Sequence, residues 1–500
     1  MMRRGNRICH IVFLPPPCSN GDLHLGHIAG VYLPADIFSR VLKIIESNAE
    51  VITIAGADEN NTYTLKKSIQ INKTIHDTCE LYSNRIQLSL KYLEINPDLF
   101  IRTSSQIHKK VSNGIFDKLK ENKHVVYQDT HQLYSKTRQQ FVSDSFCKGY
   151  CYICASETDA GTCENCGELI DHKKLLKPVY YSDNESLELQ PTKAYSIKIG
   201  ENRNLFTKDF KKQKWNTWIK KKTIKWVSSN KNSFLELTKI FSEGLQIQNS
   251  KLNFLSIPLW FEAVWAYYTG IYLFYKFESF EKFYAELKNK SINIYYFMGV
   301  DNRFHFSISD SIVRILLGFK KIYTRMYIKP FLNINGKKFS TSRGRAIFIG
   351  ELEEILNPYF LRFSLYQIHC SSKNNFTLHL YFETIKKYKG IVDFLIQYNV
   401  IENSFKTIDN NESLKKCLYP IRKDIKNSKP VSLSKIFNKI ESEIRRAKND
   451  NDLFSGCYKY ISLLECVLPN ISQNKDLKIT IPTLRQNINF IKLFNKKSVL

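Results

Sequence analysis

Two histidines three residues apart, His24 and His27, follow an apolar run and a turn built on Pro15, Pro16 and Pro17. At that spacing in the first turn of a helix, two imidazoles share one face. Free backbone N–H groups and the helix dipole at such a terminus already favour phosphate. Gly26, between the histidines, has no side chain, so a flat base can lie directly on the backbone. Paired histidines also serve as ordinary capping or surface residues, and it is the placement of His24-Leu25-Gly26-His27 after a strand and a Pro-rich turn that points to nucleotide chemistry. A second constellation is Cys151-x2-Cys154-x8-Cys163-x2-Cys166, two C-x-x-C knuckles joined by a short polar loop. Four thiolates at this spacing close a tetrahedral zinc site. A complete sulfur shell leaves no open coordination position, so the expected zinc is structural. Cys147 is a spare thiol nearby.

These groups need elements to hold them. Residues 8–14 read as a buried strand, 23–45 as a helix and 51–55 as a second buried strand, followed by Gly56-Ala57-Asp58-Glu59-Asn60. Strand, helix, strand in that order predicts an α/β fold with a parallel sheet. Ligands of such sheets sit outside the carboxyl ends of the strands. The Pro-rich turn and the Gly56 turn both follow strand ends and should face one crevice. From about residue 116 the pattern becomes irregular, a return to the sheet is expected near Leu252, and residues 292–297 read as a strand ending at Gly299. Beyond Arg345 the chain reads as helical, with apolar residues at helix spacing over 380–398 and 433–447.

The 500 residues suggest several domains, and a hydrophobic content of 43% suffices for folded cores. The basic start is followed by an apolar run too short for a signal-peptide core. Residues 258–275 are aromatic and nearly apolar, yet Glu262 interrupts them, which favours a buried pocket wall over a membrane span. The expectation is a cytoplasmic chain that binds no membrane, with cysteines kept reduced. A formal charge of +27 suits a polyanionic partner, although lysine and asparagine abound throughout. Over residues 208–226 basic residues interleave with Trp215, Trp218 and Trp226, which suits either unstacked bases or an amphipathic helix with snorkelling lysines.

The stretch from Pro15 to His27 resembles the HIGH motif of class I aminoacyl-tRNA synthetases. Far downstream, Lys338-Phe339-Ser340-Thr341-Ser342 resembles the lysine-containing KMSKS loop of that class. Leu259-Trp260-Phe261-Glu262-Ala263 and Phe297-Met298-Gly299-Val300-Asp301-Asn302 resemble the blocks that line the amino-acid pocket of the methionyl branch. Gln132-Leu133-Tyr134, Phe141-Val142-Ser143-Asp144 and Lys148-Gly149 are similar to its connective insertion, which projects over the acceptor end of tRNA. The resemblance implies a Rossmann-like catalytic domain, a zinc-knuckle insertion and a C-terminal α-helical domain. The implied division is 1–115 for the first half of the nucleotide fold, 116–245 for the insertion, 246–330 for the second half, 331–370 for the KMSKS-like loop and stem-contact region, and 371–500 for an anticodon-binding-like domain.

The implied reaction is attack of an amino-acid carboxylate on the α-phosphate of ATP, giving an aminoacyl-adenylate that is transferred to tRNA. Charge gathers on phosphate oxygens in the transition state, so placed donors and cations matter most. The resemblance assigns His24, His27 and Lys338 to catalysis, and Asn20, Gly26, Gly299, Asp301 and Lys338 to ATP, which brings Mg2+ with it. Asp301 reads equally as a helix N-cap. Asp58 would hold the substrate ammonium, while Trp260, Ala263, Tyr267 and His305 would line the amino-acid pocket. Tyr267 also reads as a core residue. Cys151, Cys154, Cys163 and Cys166 would hold the zinc.

Several positions depart from the methionyl pattern. Thr341 stands where the loop has its second lysine, with Lys337, Arg343 and Arg345 close by. Cys18 stands where the family has a pocket tyrosine, His305 and Phe306 are in swapped order, and Val264 replaces a proline. Gly244-Leu245-Gln246-Ile247 begins like the return segment but lacks its Arg and Trp. Asp393 and Gln397 align with the anticodon-reading Asn and Arg, and no tryptophan follows Trp265. The expected function is that of a monomeric methionine-activating, tRNA-charging ligase. The alternatives are a paralogue that adenylates an amino acid and passes it to a non-tRNA acceptor, and an inactive zinc-containing RNA-binding paralogue.

Overall fold

Five strands form one parallel sheet: β1 (Cys9–Phe13), β2 (Glu50–Ala57), β3 (Leu99–Arg102), β4 (Ile292–Gly299) and β5 (Ile322–Lys329). This computed structural model describes residues 8–163, 165–248, 254–339, 344–370, 374–397, 419, 423, 467–469 and 480–499. Thr341, Ser342, Arg343 and the helix expected over 433–447 lie outside the described residues, as do the side chains of Lys338 and Gln397. The strands lie in the order β5-β4-β1-β2-β3, every neighbouring pair parallel. Every residue of β1 is buried, with Val12 in the core on one face and Cys9, Ile11 and Phe13 in the core on the other. A strand covered on both faces reads as a mostly apolar run, as CHIVF does apart from His10, whose ring contacts the Tyr295 hydroxyl. The order changes direction at β1, which puts the ligand crevice outside the carboxyl ends of β1, β2 and β4.

The helix expected after β1 is present but not uniform. An α-turn over Leu25–His27 leads into a wider π-turn over Ile28–Tyr32 and then into α1 (Leu33–Ile45). Pro34, in the first turn of α1, has no N–H to donate, and the Leu33 N–H reaches back to the Ile28 carbonyl. Such wide turns recur at functional sites. α2 (Thr62–Gln70) starts directly after the Gly56 turn, capped by Asn61.

The chain departs from expectation in two places. The pattern does not become irregular at residue 116, because an amphipathic helix, Gln106–Glu121, runs through it and buries Val111, Ile115, Phe116 and Leu119. The parallel sheet does not resume near Leu252. Instead Leu255–Ile257 pairs antiparallel with Lys239–Ile240 and Leu245–Gln246, and the chain rejoins the sheet only from β4 onward. A short apolar run carries no mark of which sheet it will join. Between these points lies the insertion: a long antiparallel pair, Val125–Ser135 with Glu188–Lys198, and a small sheet around the cysteines. Trp215 is buried and donates to Thr324 Oγ1 at 2.9 Å, Trp226 packs edge-on against Phe304, and Trp218 is exposed. The basic segment is therefore a helix pair with a wet lysine face, not one tryptophan stripe.

Residues 259–274 form two short, largely buried helices, Leu259–Glu262 and Ala266–Phe274. No helix among the described residues is long and apolar enough to cross a membrane. α3 (Pro358–Cys370) and α4 (Leu378–Gln397) pack together, and Tyr381 of α4 stacks on Phe490 of the terminal helix Leu484–Val499. Arg362 of α3, fully buried, donates to Asp36 of α1 at 2.6 Å and to the Val467 carbonyl at 2.7 Å. One guanidinium thus joins the helix after the histidine turn to the C-terminal helices.

Candidate functional site

The histidine turn is held by its own side chains. His24 caps the helix, its Nδ1 accepting from the Gly26 and His27 N–H groups at 3.1 and 3.3 Å, while its own N–H donates to His27 Nδ1 at 3.3 Å. The rings stack at 3.8 Å between centroids and 14° between planes. Burial pushes His27 down to about 4, and burial with the neighbouring imidazole pushes His24 well below its ordinary value. Both rings are therefore neutral near pH 7. With each Nδ1 occupied as an acceptor, the proton of each ring sits on Nε2. The turn presents two neutral donors. A Cβ at Gly26 would stand 2.9 Å from His24 Cε1. The glycine makes room for the capping imidazole.

The two halves of the crevice are stitched by backbone. Ser19 N–H donates to the Asp58 carbonyl at 2.8 Å and Asp58 N–H to the Pro17 carbonyl at 2.9 Å, so the Pro-rich turn and the Gly56 turn do face each other. The segment after the lysine loop returns to the histidines. Leu25 N–H donates to Ile347 O at 3.0 Å, and Ile349 N–H to Leu23 O at 2.9 Å. Lys338 pairs with Asn333 in a two-residue strand, and the neighbouring Phe339 ring lies 5.9 Å from the His24 ring. Asn20 stands exposed at the rim. Gly299 ends β4, where a Cβ would collide with the Asp301 carboxylate. Asp301 lies inside a 3-10 turn that Gly299 opens, so it is not an N-cap.

Asp58 is 2% exposed, with Cys18 Sγ 3.5 Å from Oδ2 and no partner for Oδ1 among the described residues. Burial raises its carboxyl to about 7, against the lowering effect of hydrogen bonds from Asn61 and Cys18. Glu262 is also fully buried, takes a 2.5 Å hydrogen bond from Asn60 Nδ2 and leaves Oε2 unpartnered. Burial first, and the Asp58 charge second, push Glu262 well up. Each of these two buried carboxyl groups thus keeps one oxygen without a partner among the described residues. Trp260 lies under the Lys239 ammonium, 4.0 Å from the ring centre, and Lys239 pairs with Asp144 at 2.8 Å. Ala263 is buried beside them on the chain. His305 is buried, with Nε2 3.2 Å from Thr162 Oγ1. Tyr267 is spoken for by the core: its hydroxyl donates to Asp310 at 2.7 Å, beside Tyr296 at 3.0 Å.

The four cysteines meet, all their sulfurs within 4.8 Å of one another. Cys151 and Cys166 sulfurs stand 3.8 Å apart and Cys154 and Cys163 sulfurs 3.6 Å, too far for disulfides. A tetrahedron with zinc–sulfur bonds of about 2.3 Å spaces its sulfurs about 3.8 Å apart. Backbone N–H support is present, Ile153 donating to Cys151 Sγ at 3.4 Å, and hydrogen bonds at Ser156 lower the Cys154 thiol to about 6. The donor set fits a metal ion. Cys147 lies outside it, in a strand paired with Tyr180.

The sequence shows Glu262, Asn60 and Asp144 only as members of longer blocks, with no role of their own, and does not mark Lys239, Thr162 or Arg303 at all. Glu262 did carry a signal, as the one acid in an aromatic, apolar run. The others are polar residues whose partners lie far along the chain.

The profile of the family described as tRNA synthetases class I (M) matches residues 10–391. Among curated relatives, a methionine--tRNA ligase of Thermoplasma volcanium is 29% identical over 363 residues, covering 69% of this chain and 64% of that protein. One from Pyrococcus horikoshii is 26% identical over 375 residues, covering 72% and 51%. One from Corynebacterium glutamicum is 27% identical over 378 residues, covering 69% and 59%. The chain thus spans between half and two thirds of the length of these relatives. Among solved structures, Mycobacterium tuberculosis methionyl-tRNA synthetase bound by methionyl-adenylate superposes with a TM-score of 0.63 at 12% identity, over 93% of this chain and 92% of that one. That likeness is one of fold.

Proposed function

Because the chain belongs to the class I tRNA synthetases of the M group, we propose that it activates an amino acid, methionine, with ATP and transfers it to tRNA. The observation that carries the reading is the stacked His24–His27 pair, whose rings are neutral and keep their protons on Nε2. A carboxylate oxygen attacks the α-phosphorus of ATP, the bond to the β-phosphate bridge breaks, and pyrophosphate leaves. Charge grows on the phosphate oxygens without a proton changing hands, so the two Nε2–H groups donate to those oxygens and hold them. Lys338, carried beyond Gly336, supplies the cation for the β- and γ-phosphates, and Asn20 steadies them. Gly299 and Asp301 flank the nucleotide at the end of β4, and Mg2+ accompanies ATP.

The substrate ammonium binds at Asp58, where an open buried carboxylate oxygen waits for a charged donor. Trp260, Ala263 and His305 enclose the side chain, and Tyr267 stiffens the wall from behind. Cys151, Cys154, Cys163 and Cys166 hold a structural zinc that keeps the insertion folded. The division at residues 115, 245, 330 and 370 belongs to this reading, its first two boundaries shifted to the ends of the helix Gln106–Glu121 and of the strand Leu245–Gln246 that cross them. A second acceptor is favoured by two features: no tryptophan follows Trp265, and Asp393 takes the place of an anticodon-reading Asn. In that case the adenylate is made but the acyl group goes to a molecule other than tRNA.

Incubation with ATP and each amino acid, followed by mass spectrometry of the bound adenylate, tests the first step. Methionyl-adenylate is the expected product, and no adenylate with any amino acid refutes the proposal. Charging of total tRNA decides the acceptor. Robust adenylate formation without charged tRNA transfers the reading to the second acceptor.

A further inference from the structure

The loop of the second cysteine pair is seated on the segment that follows β4. Gly167, at φ +68°, abuts Val300, whose carbonyl oxygen would stand 3.3 Å from a Cβ placed there. Arg303, 2% exposed, donates to the Gly167 carbonyl at 3.3 Å and to Glu168 at 2.7 Å. Thr162, the residue before Cys163, places Oγ1 3.2 Å from His305 Nε2. The other ring nitrogen, His305 Nδ1, is buried and has no partner among the described residues. Buried polar atoms are seldom left unpaired without a use. The turn from His305 to Asp310 packs against the short helix Leu259–Glu262 that carries Trp260.

We propose that Thr162 is a positioning residue that fixes His305 as a hydrogen-bond donor to the side chain of the amino-acid substrate. The inference rests on the amino-acid site proposed above. In the arrangement proposed, the Thr162 hydroxyl is the donor and Nε2 the acceptor of their 3.2 Å contact, which leaves the ring proton on Nδ1, the nitrogen without a partner among the described residues, as the group offered to the ligand. The pocket then selects a side chain bearing an acceptor atom. A thioether sulfur satisfies the donor weakly, whereas a hydrocarbon chain of the same shape leaves it unpaired and is rejected. Glu168 and Arg303 hold the knuckle loop in register, so Thr162 meets the ring at a fixed distance.

Methionine and norleucine are the probes, compared by pyrophosphate exchange with the full-length, metal-loaded protein. Wild type is expected to prefer methionine. Thr162→Val should lower that preference in kcat/KM by about 3- to 10-fold, through the KM for methionine, with the KM for ATP and the metal content unchanged. Thr162→Ser should restore it, and His305→Phe should remove it. A readout independent of activity is the 15N spectrum of the His305 ring, expected to be protonated on Nδ1 in wild type and to lose that preference in Thr162→Val. An unchanged preference in both Thr162→Val and His305→Phe overturns the inference, as does a wild-type ring protonated on Nε2. If the wild type activates neither probe, the proposed function fails, and the ring spectrum alone decides the part played by Thr162.

Discussion

Asp58→Asn separates a group kept for binding from one kept for stability. Burial raises the Asp58 carboxyl to about 7, so about a tenth of it is ionised at pH 6 and about nine-tenths at pH 8. The substrate ammonium stays charged across this interval, and His27, held near 4, stays neutral. The KM for the amino acid should therefore fall roughly tenfold from pH 6 to pH 8 in pyrophosphate exchange, with little change in the KM for ATP. Replacing the carboxylate by an amide removes a charge-assisted hydrogen bond of about 1.5–3 kcal/mol. The KM should rise by about 10- to 150-fold and lose its pH dependence. Stability should move the other way. A carboxyl with a raised folded-state pKa binds its proton more tightly in the folded protein, so its cost to stability is absent below about pH 4, grows through the interval up to about 7 and is complete at pH 8. Asp58→Asn should melt a few degrees higher than wild type at pH 8, and that advantage should vanish in acid. A wild-type KM that is flat from pH 6 to 8, together with an Asp58→Asn KM within twofold of wild type, refutes the assignment.

The double substitution His24→Ala, His27→Ala removes both Nε2 donors, each worth about 10²–10³ in rate; exchange should fall by at least about 10⁴-fold, and a loss under tenfold would remove the pair from the chemistry. Cys163→Ser should drop the zinc content from about one per chain toward zero, read by atomic emission, whereas retained zinc would place the metal elsewhere. Arg362→Met leaves the buried Asp36 carboxylate with Arg40 as its one cation among the described residues and should cost about 3 kcal/mol in urea unfolding. A change below 0.5 kcal/mol, on the order of ordinary surface substitutions, would show that the α1–α3 tie is incidental.

The parts of the site legible in the sequence are those made by neighbours along the chain. His24 and His27 cap one turn, and the cysteine spacing closes one cluster, so local periodicity and spacing specify both. The parallel sheet is also legible, because β1 and β2 are largely buried and mostly apolar, interrupted only by His10 in β1 and by Glu50 and Thr53 in β2. What the pattern does not contain is pairing over distance. Asn60 with Glu262, Asp144 with Lys239, and Thr162 with His305 are each ordinary polar residues until the fold brings them together. The π-turn over Ile28–Tyr32 has a local cause in Pro34 but no periodicity that announces it. Gly26 and Tyr267 are instructive in another way. Gly26 gives room to the His24 ring, a use its spacing does not announce, and the Tyr267 hydroxyl is engaged with Asp310 inside the core.

Methionine-dependent exchange of labelled pyrophosphate into ATP, run beside the other amino acids, meets the central claim most directly. The account predicts exchange with methionine well above every other amino acid and its loss in the His24→Ala, His27→Ala variant. Exchange with no amino acid, or undiminished exchange in that variant, would contradict it.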